Sequence, residues 1–65
     1  MLRIEFATDN AAFAVDEPDK WTRDYYRNEE IKRVLMNVCN QLDNGKTSGS
    51  CIDMNGNKIG AWSID

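Results

Sequence analysis

The sequence predicts an α+β fold, a small β-α-β-β domain with one helix packed on an antiparallel sheet. Three observations carry this. At the start of the chain Leu2, Ile4 and Phe6 alternate with Arg3, Glu5 and Ala7, the period of a half-buried strand. In the middle Ile31, Val34, Leu35, Val38 and Leu42 recur at three and four, the period of one helix face. Near the end Asn55-Gly56 separates two β-prone arms, 47–53 and 58–64. A tight turn there needs positive φ, which glycine supplies without steric cost. The order strand, helix, strand, strand closes into a single domain spanning residues 1–65.

Each element follows from its residues. The first strand ends at Thr8-Asp9-Asn10, because Asp and Asn bond their own backbone in turns. Residues 11–15 (Ala-Ala-Phe-Ala-Val) offer a short apolar segment, either a helical turn capped by Asp9 or Asn10 or a lining against the core. Asp16-Glu17-Pro18-Asp19 reads as a loop, and Pro18 suits the first turn of a helix. The helix has two candidate starts. One is Asn28 followed by Glu29-Glu30, a cap with acids in the first turn; the other lies within 16–19. The second start lets Trp21 and Tyr25 extend the apolar stripe, which Met36 and Cys39 widen. Gly45 after Asn44 ends the helix. The terminal hairpin has two candidate registers. A two-residue loop pairs Ile52 with Ile59 and puts Trp62 on the opposite face; a three-residue loop with a glycine bulge pairs Cys51 with Ile59.

Composition bounds the function. Sixty-five residues bury only roughly 60% of their unfolded surface, so the core is small and a partner subunit is a natural supplement. The chain carries eleven acids against eight bases, a net charge of −3, which argues against broad binding to DNA or RNA. It leaves room for a small anionic ligand held by a few local cations. No apolar run approaches the roughly 18 residues of a membrane span, and the N-terminus does not read as a signal peptide. Cys39 and Cys51 are too few for a disulfide framework and read as small buried hydrophobes in a reducing compartment. His is absent, which removes the usual general base and the commonest zinc ligand.

Several motifs fail on spacing. Gly45-Lys46-Thr47 resembles the end of a phosphate-binding loop, but Asn40 stands where that loop has its first glycine. It also follows a helix C-terminus, the wrong end of the dipole. Asp53-Met54-Asn55-Gly56-Asn57 starts like a calcium loop, but Lys58 occupies the sixth place and Ile64 the twelfth. The cysteines have neither the further soft ligands that zinc needs nor a base to activate them. Asp16/Glu17 and Glu29/Glu30 are adjacent, so on a helix they point apart and read as solvated acids. The expectation is a non-enzymatic protein without a cofactor or metal.

The richest contact chemistry lies in 21–27, where Trp21, Tyr25 and Tyr26 interleave with Arg23 and Arg27. Trp, Tyr and Arg dominate binding hot spots, and they also stack on nucleobases. The competing reading packs Trp21 and Tyr25 on the sheet and pairs the arginines with acids. Thr8, Asp9 and Asn10 form a second candidate contact site.

Two segments together carry a resemblance. They are residues 4–13, with Thr8-Asp9-Asn10-Ala11-Ala12-Phe13 at a strand end, and Gly45-Lys46-Thr47-Ser48-Gly49 leading to Asp53-Met54-Asn55-Gly56-Asn57. In this combination the chain resembles a family of very small proteins encoded by bacteriophages and prophages. The stretch between Phe13 and the helix core, which includes 21–27, is longer here than in that pattern. The resemblance implies a cytoplasmic accessory protein of the infected bacterial host, of the kind that acts in counter-defence, and no enzymatic activity. The expected function is therefore capture of a host immune signal such as a cyclic nucleotide, by a homo-oligomer whose subunits gather Arg and aromatic groups. The alternatives are a protein-blocking inhibitor of a host defence complex, similar to an anti-CRISPR protein, and a structural or regulatory interaction module.

Overall fold

The alternation and the helical period produce the elements they predict. In the computed structural model, which describes residues 1–14 and 16–65, the chain forms β1 (Leu2–Phe6), α1 (Lys20–Asp43), β2 (Ser48–Ile52) and β3 (Lys58–Ile64). The strands make one antiparallel sheet in the order β1-β3-β2, with α1 packed against one face. This is the α+β architecture expected. Two rows of side chains face the helix: Ile4, Trp62 and Gly49, then Phe6, Gly60 and Cys51. The intervening rows, Arg3 with Ser63 and Ser48, and Glu5 with Ala61 and Ser50, form the other face.

The hairpin combines both candidate registers. At the turn, Asp53 N–H donates to the Asn57 carbonyl at 2.9 Å and Ile52 pairs with Lys58, as a three-residue loop requires. Gly56 takes the left-handed conformation there, at φ 83°. One residue later a bulge at Ile59 shifts the pairing, so Cys51 meets Gly60 rather than Ile59. Beyond the bulge the strands keep the register of the shorter loop. Trp62 is thereby turned inward, where only 2% of its surface remains exposed.

The helix starts at the earlier of the two candidates. Asp19 is its N-cap and accepts from Thr22 N–H at 2.8 Å and Thr22 Oγ1 at 2.9 Å. Asn28 is therefore not a cap. Glu29 and Glu30 lie in mid-helix rather than in a solvated first turn, and Glu30 is buried. The C-terminus closes on Gly45 at φ 78°, with Gly45 N–H donating to Leu42 O and Lys46 N–H to Gln41 O.

The core is Phe13, Val34, Val38, Cys51 and Trp62, with Ile4, Phe6, Ala12, Ile31 and Ile59 packed around it. Each large apolar side chain there contributes roughly 1.5–3 kcal/mol. The buried helix face is narrower than the apolar stripe suggests. Leu35, Met36, Cys39 and Leu42 are exposed, and Trp21 and Tyr25 do not extend the stripe. Cys39 is thus not the buried hydrophobe expected, whereas Cys51 is. Geometry explains the difference. Residues 30, 34, 38 and 41 follow one line along the helix, and a three-stranded sheet with only Trp62 as a large central side chain covers little more than that line.

Two glycines make this packing possible. A Cβ at Gly60 would collide with the backbone of Glu5 and Phe6. At Gly49 it would strike Gln41 Oε1 and Trp62 Nε1, which share a 3.0 Å hydrogen bond directly above. Gly60→Ala is accordingly expected to lose most of the cooperative thermal transition, whereas Gly45→Ala, which meets open space, costs about 1 kcal/mol of left-handed strain. Parallel circular-dichroism melts of the two variants check this.

Candidate functional site

Of the two candidate sites, Thr8-Asp9-Asn10 splits by residue. Thr8 and Asp9 are exposed. Asn10 is held inward. Its Nδ2 donates to Asp53 Oδ2 at 3.0 Å, and its Oδ1 accepts from Ala12 N–H at 3.0 Å. Asp53 is 3% exposed and also accepts from Asn55 N–H and Asn57 N–H, each at 2.9 Å, and from Asn57 Nδ2 at 3.3 Å. The bond from the Asn57 amide, aided by those from Asn55 and Asn10, holds the Asp53 carboxyl below the ordinary carboxylate range against the opposing effect of burial. The two segments that carry the sequence resemblance thus meet at one hydrogen-bonded carboxylate.

Beside it lies a second buried acid, Glu30. Arg33 grips it in a fork, Nε to Oε1 at 2.7 Å and Nη2 to Oε2 at 3.1 Å. The same Nη2 donates to Ile52 O at 2.8 Å, and Met54 N–H donates to Glu30 Oε2 at 2.8 Å. The Arg33 bond lowers the Glu30 pKa in spite of desolvation. Sequence reasoning missed this pair. The signal was present as a Glu at i and an Arg at i+3 in line with Val34 and Val38.

The segment 21–27 lies on the N-terminal part of α1. A helix of 24 residues is roughly 36 Å long, whereas strands of five to seven residues span roughly 17–24 Å, and the buried helix residues begin only at Glu30. The helix therefore overhangs the sheet at its N-terminal end. Trp21 is 72% exposed and stacks on Tyr25 with ring centroids 5.6 Å apart; Tyr26 meets Tyr25 edge-on at 5.5 Å. Packing of Trp21 and Tyr25 on the sheet is excluded by this exposure. The cations point elsewhere. Lys20, Arg23 and Arg27 continue the line of Val34 and Val38, so the aromatic and basic residues that alternate in sequence occupy different faces. Lys20, Arg23, Asp24 and Arg27 line a shallow groove of about 350 Å³ against Phe13 and Ala14. Arg27 pairs with Asp24 at 3.5 Å; among the described residues, Lys20 and Arg23 form no ion pair within 4.0 Å. Lys20, which sequence reasoning missed, is identified by its i, i+3, i+7 spacing with Arg23 and Arg27.

A second concavity, about 980 Å³, is the uncovered sheet face bordered by Arg3, Glu5 and the serines 48, 50 and 63. It is a flat dish of small side chains with no convergent set of reactive groups. The Cys51 thiol is buried and its pKa is raised by desolvation, which holds it protonated. Among the described residues, no three His, Cys, Asp or Glu side chains converge on a metal-sized point, and no helix is long and apolar enough to cross a membrane.

No protein-family profile, curated protein or solved structure matches the chain at a significant level.

The three carboxylates with lowered pKa values, Asp53, Glu30 and Asp19, set the acid response. Each is more acidic folded than unfolded, so each stabilises the fold above its unfolded value and loses that contribution as pH falls through the folded one. The melting temperature is expected to stay flat above about pH 5.5 and to drop below about pH 4. Asp53→Asn should lower it at neutral pH and flatten the acid slope, because the amide places an NH₂ against donors. Thermal melts from acid to neutral pH test both.

Proposed function

We propose that this protein is a non-enzymatic binding module that captures a small phosphorylated ligand, of the cyclic-nucleotide class, in the groove between α1 and residues 10–14. The observation that supports this is the alignment of Lys20, Arg23 and Arg27 on one side of the overhanging helix, beside Phe13 and Ala14. Asp24 lines the same groove and pairs with Arg27, so three cations face one carboxylate there, a local positive balance in a chain of net charge −3. Two arginines suit phosphate oxygens through their paired donors. Capture needs no chemical step. A binder present in excess lowers the free ligand by mass action, as a counter-defence protein acting on a host immune signal would do.

A second reading, a protein-blocking inhibitor, draws on a different observation: Trp21, Tyr25 and Tyr26 are all exposed on one helix end. Aromatic groups so placed are typical anchors of protein interfaces.

Titration calorimetry and thermal-shift measurements with cyclic di- and trinucleotides separate the readings. Ligand capture predicts saturable heat, a raised melting temperature, and affinity lowered about tenfold or more in each of Arg23→Ala and Arg27→Ala, the loss of one charge-assisted contact. Heat-silent titrations across the panel would reject ligand capture and favour the aromatic surface as the working part.

A further inference from the structure

The outward face of α1 carries a second pattern, independent of the groove. Trp21, Tyr25, Asn28, Lys32, Leu35, Cys39 and Leu42 succeed one another at steps of four, three, four, three, four and three. This is the seven-residue repeat of a helix-pairing seam, sustained over three repeats. Every member is exposed, with Trp21 at 72%, Tyr25 at 48%, Leu35 at 38% and Leu42 at 37%; Met36, 62% exposed, flanks the line. The sheet and the groove use the other side of the helix, so the seam is open along its full length.

From this geometry we infer that the occupant of the seam is a second copy of this chain, its helix running antiparallel. The polar members select the partner and its direction. In a parallel pair each residue faces itself, which sets Lys32 against Lys32 inside the seam. In an antiparallel pair with Tyr25 opposite Leu35, Trp21 falls opposite Cys39 and Asn28 falls opposite Lys32. Each lysine then meets an amide oxygen and lies beside the partner's Glu29. It already pairs with Glu29 of its own chain at 3.4 Å, so the carboxylate lies within reach of the same ammonium from either side. A shift of one repeat would set Lys32 against Leu35 and Asn28 against Cys39, leaving both polar groups without partners. The polar centre therefore fixes one register, and apolar contacts close both ends. Trp21 of each copy reaches the seam between the partner's Cys39 and Leu42.

The buried area is sufficient. An aromatic side chain buries roughly 150–250 Å² in full, and with Trp21 72% and Tyr25 48% exposed two copies bring on the order of 500 Å² to this seam. With the exposed parts of Leu35, Met36 and Leu42 from both helices the total reaches the roughly 1,000 Å² that a specific interface requires. The sheets sit on the far sides of their helices and near opposite ends of the pair, so they do not collide.

The test uses the full chain. Sedimentation equilibrium from about 1 to about 200 µM is expected to show a reversible dimer, twice the 7.4 kDa chain mass. Tyr25→Glu and Leu35→Glu are expected to weaken it at least tenfold while leaving the far-UV spectrum unchanged, since both positions are exposed in the single chain. A Trp21→Cys variant under mild oxidation is expected to form a covalent dimer linking position 21 to the partner's Cys39. A monomer throughout that concentration range, a larger assembly, or a dimer that survives both Glu variants would overturn the seam. A linkage joining Cys39 to Cys39 would overturn the antiparallel direction.

Discussion

One carboxylate, that of Asp53, ties the turn of the terminal hairpin to the segment that follows β1. It accepts two amides of the turn that follows it, the side chain of Asn57, and the side chain of Asn10 from the far end of the sequence. A buried charge without a cationic partner is expensive unless its oxygens are filled by hydrogen bonds, and here four donors fill them. Much follows from that arrangement. The turn it fixes sets where the hairpin begins, and the bulge at Ile59 then decides that Trp62 faces the helix. The Asn10 contact bends the chain after β1 so that Phe13, three residues on, drops into the core.

The helix is fixed to this frame by polar contacts at both ends of its buried stretch. At one end Glu30 and Arg33 bind the backbone at Ile52 and Met54. At the other, Gln41 accepts from the Trp62 indole and donates to Ser50 O at 3.1 Å and Asn37 Oδ1 at 2.9 Å. Between them only Val34 and Val38 are deeply buried. In so small a core the apolar contacts supply attraction, but they are too few and too alike to set rotation and register. The flanking hydrogen bonds supply that specificity, because each is satisfied at only one helix position.

The fold class was legible because it rests on periodicity, and periods of 2 and 3.6 survive in a chain this short. Helix ends were legible where a single residue decides them, as with Gly45. The start was ambiguous because Asp19 and Asn28 carry the same capping chemistry; the cap falls at Asp19, whose carboxylate takes Thr22 N–H, and residues 20–29 continue the helix with little packed beneath them. The hairpin register was not legible for a sharper reason: a bulge adds one residue on one strand, and nothing in Ile59 as a residue type announces it. The site was less legible than the fold. The 21–27 segment is rich in contact-prone residue types, but sequence order mixes Trp21, Arg23, Tyr25 and Arg27, and the helix sorts them onto separate faces. Cys39 and Leu35 looked like core because their spacing fits an apolar stripe; the sheet is simply too narrow to cover it. Asn10 and Asp53 are far apart in the chain, and their bond is invisible to any local rule.

The overhang of α1 gives the helix two mechanical halves. Its C-terminal half is clamped to the sheet, and its N-terminal half is held by its own backbone bonds, the Asp19 cap and the loop near Phe13. In an isolated chain these halves should open at different free energies, the first only with the whole domain and the second by local fraying. Amide exchange along one continuous helix would then record a step near Glu30 rather than a uniform rate. An anion in the groove would slow exchange most in residues 20–29, whereas a partner helix along the Trp21–Leu42 seam would slow it on both halves. The proposed groove thus lies on the stretch of α1 that the sheet does not clamp.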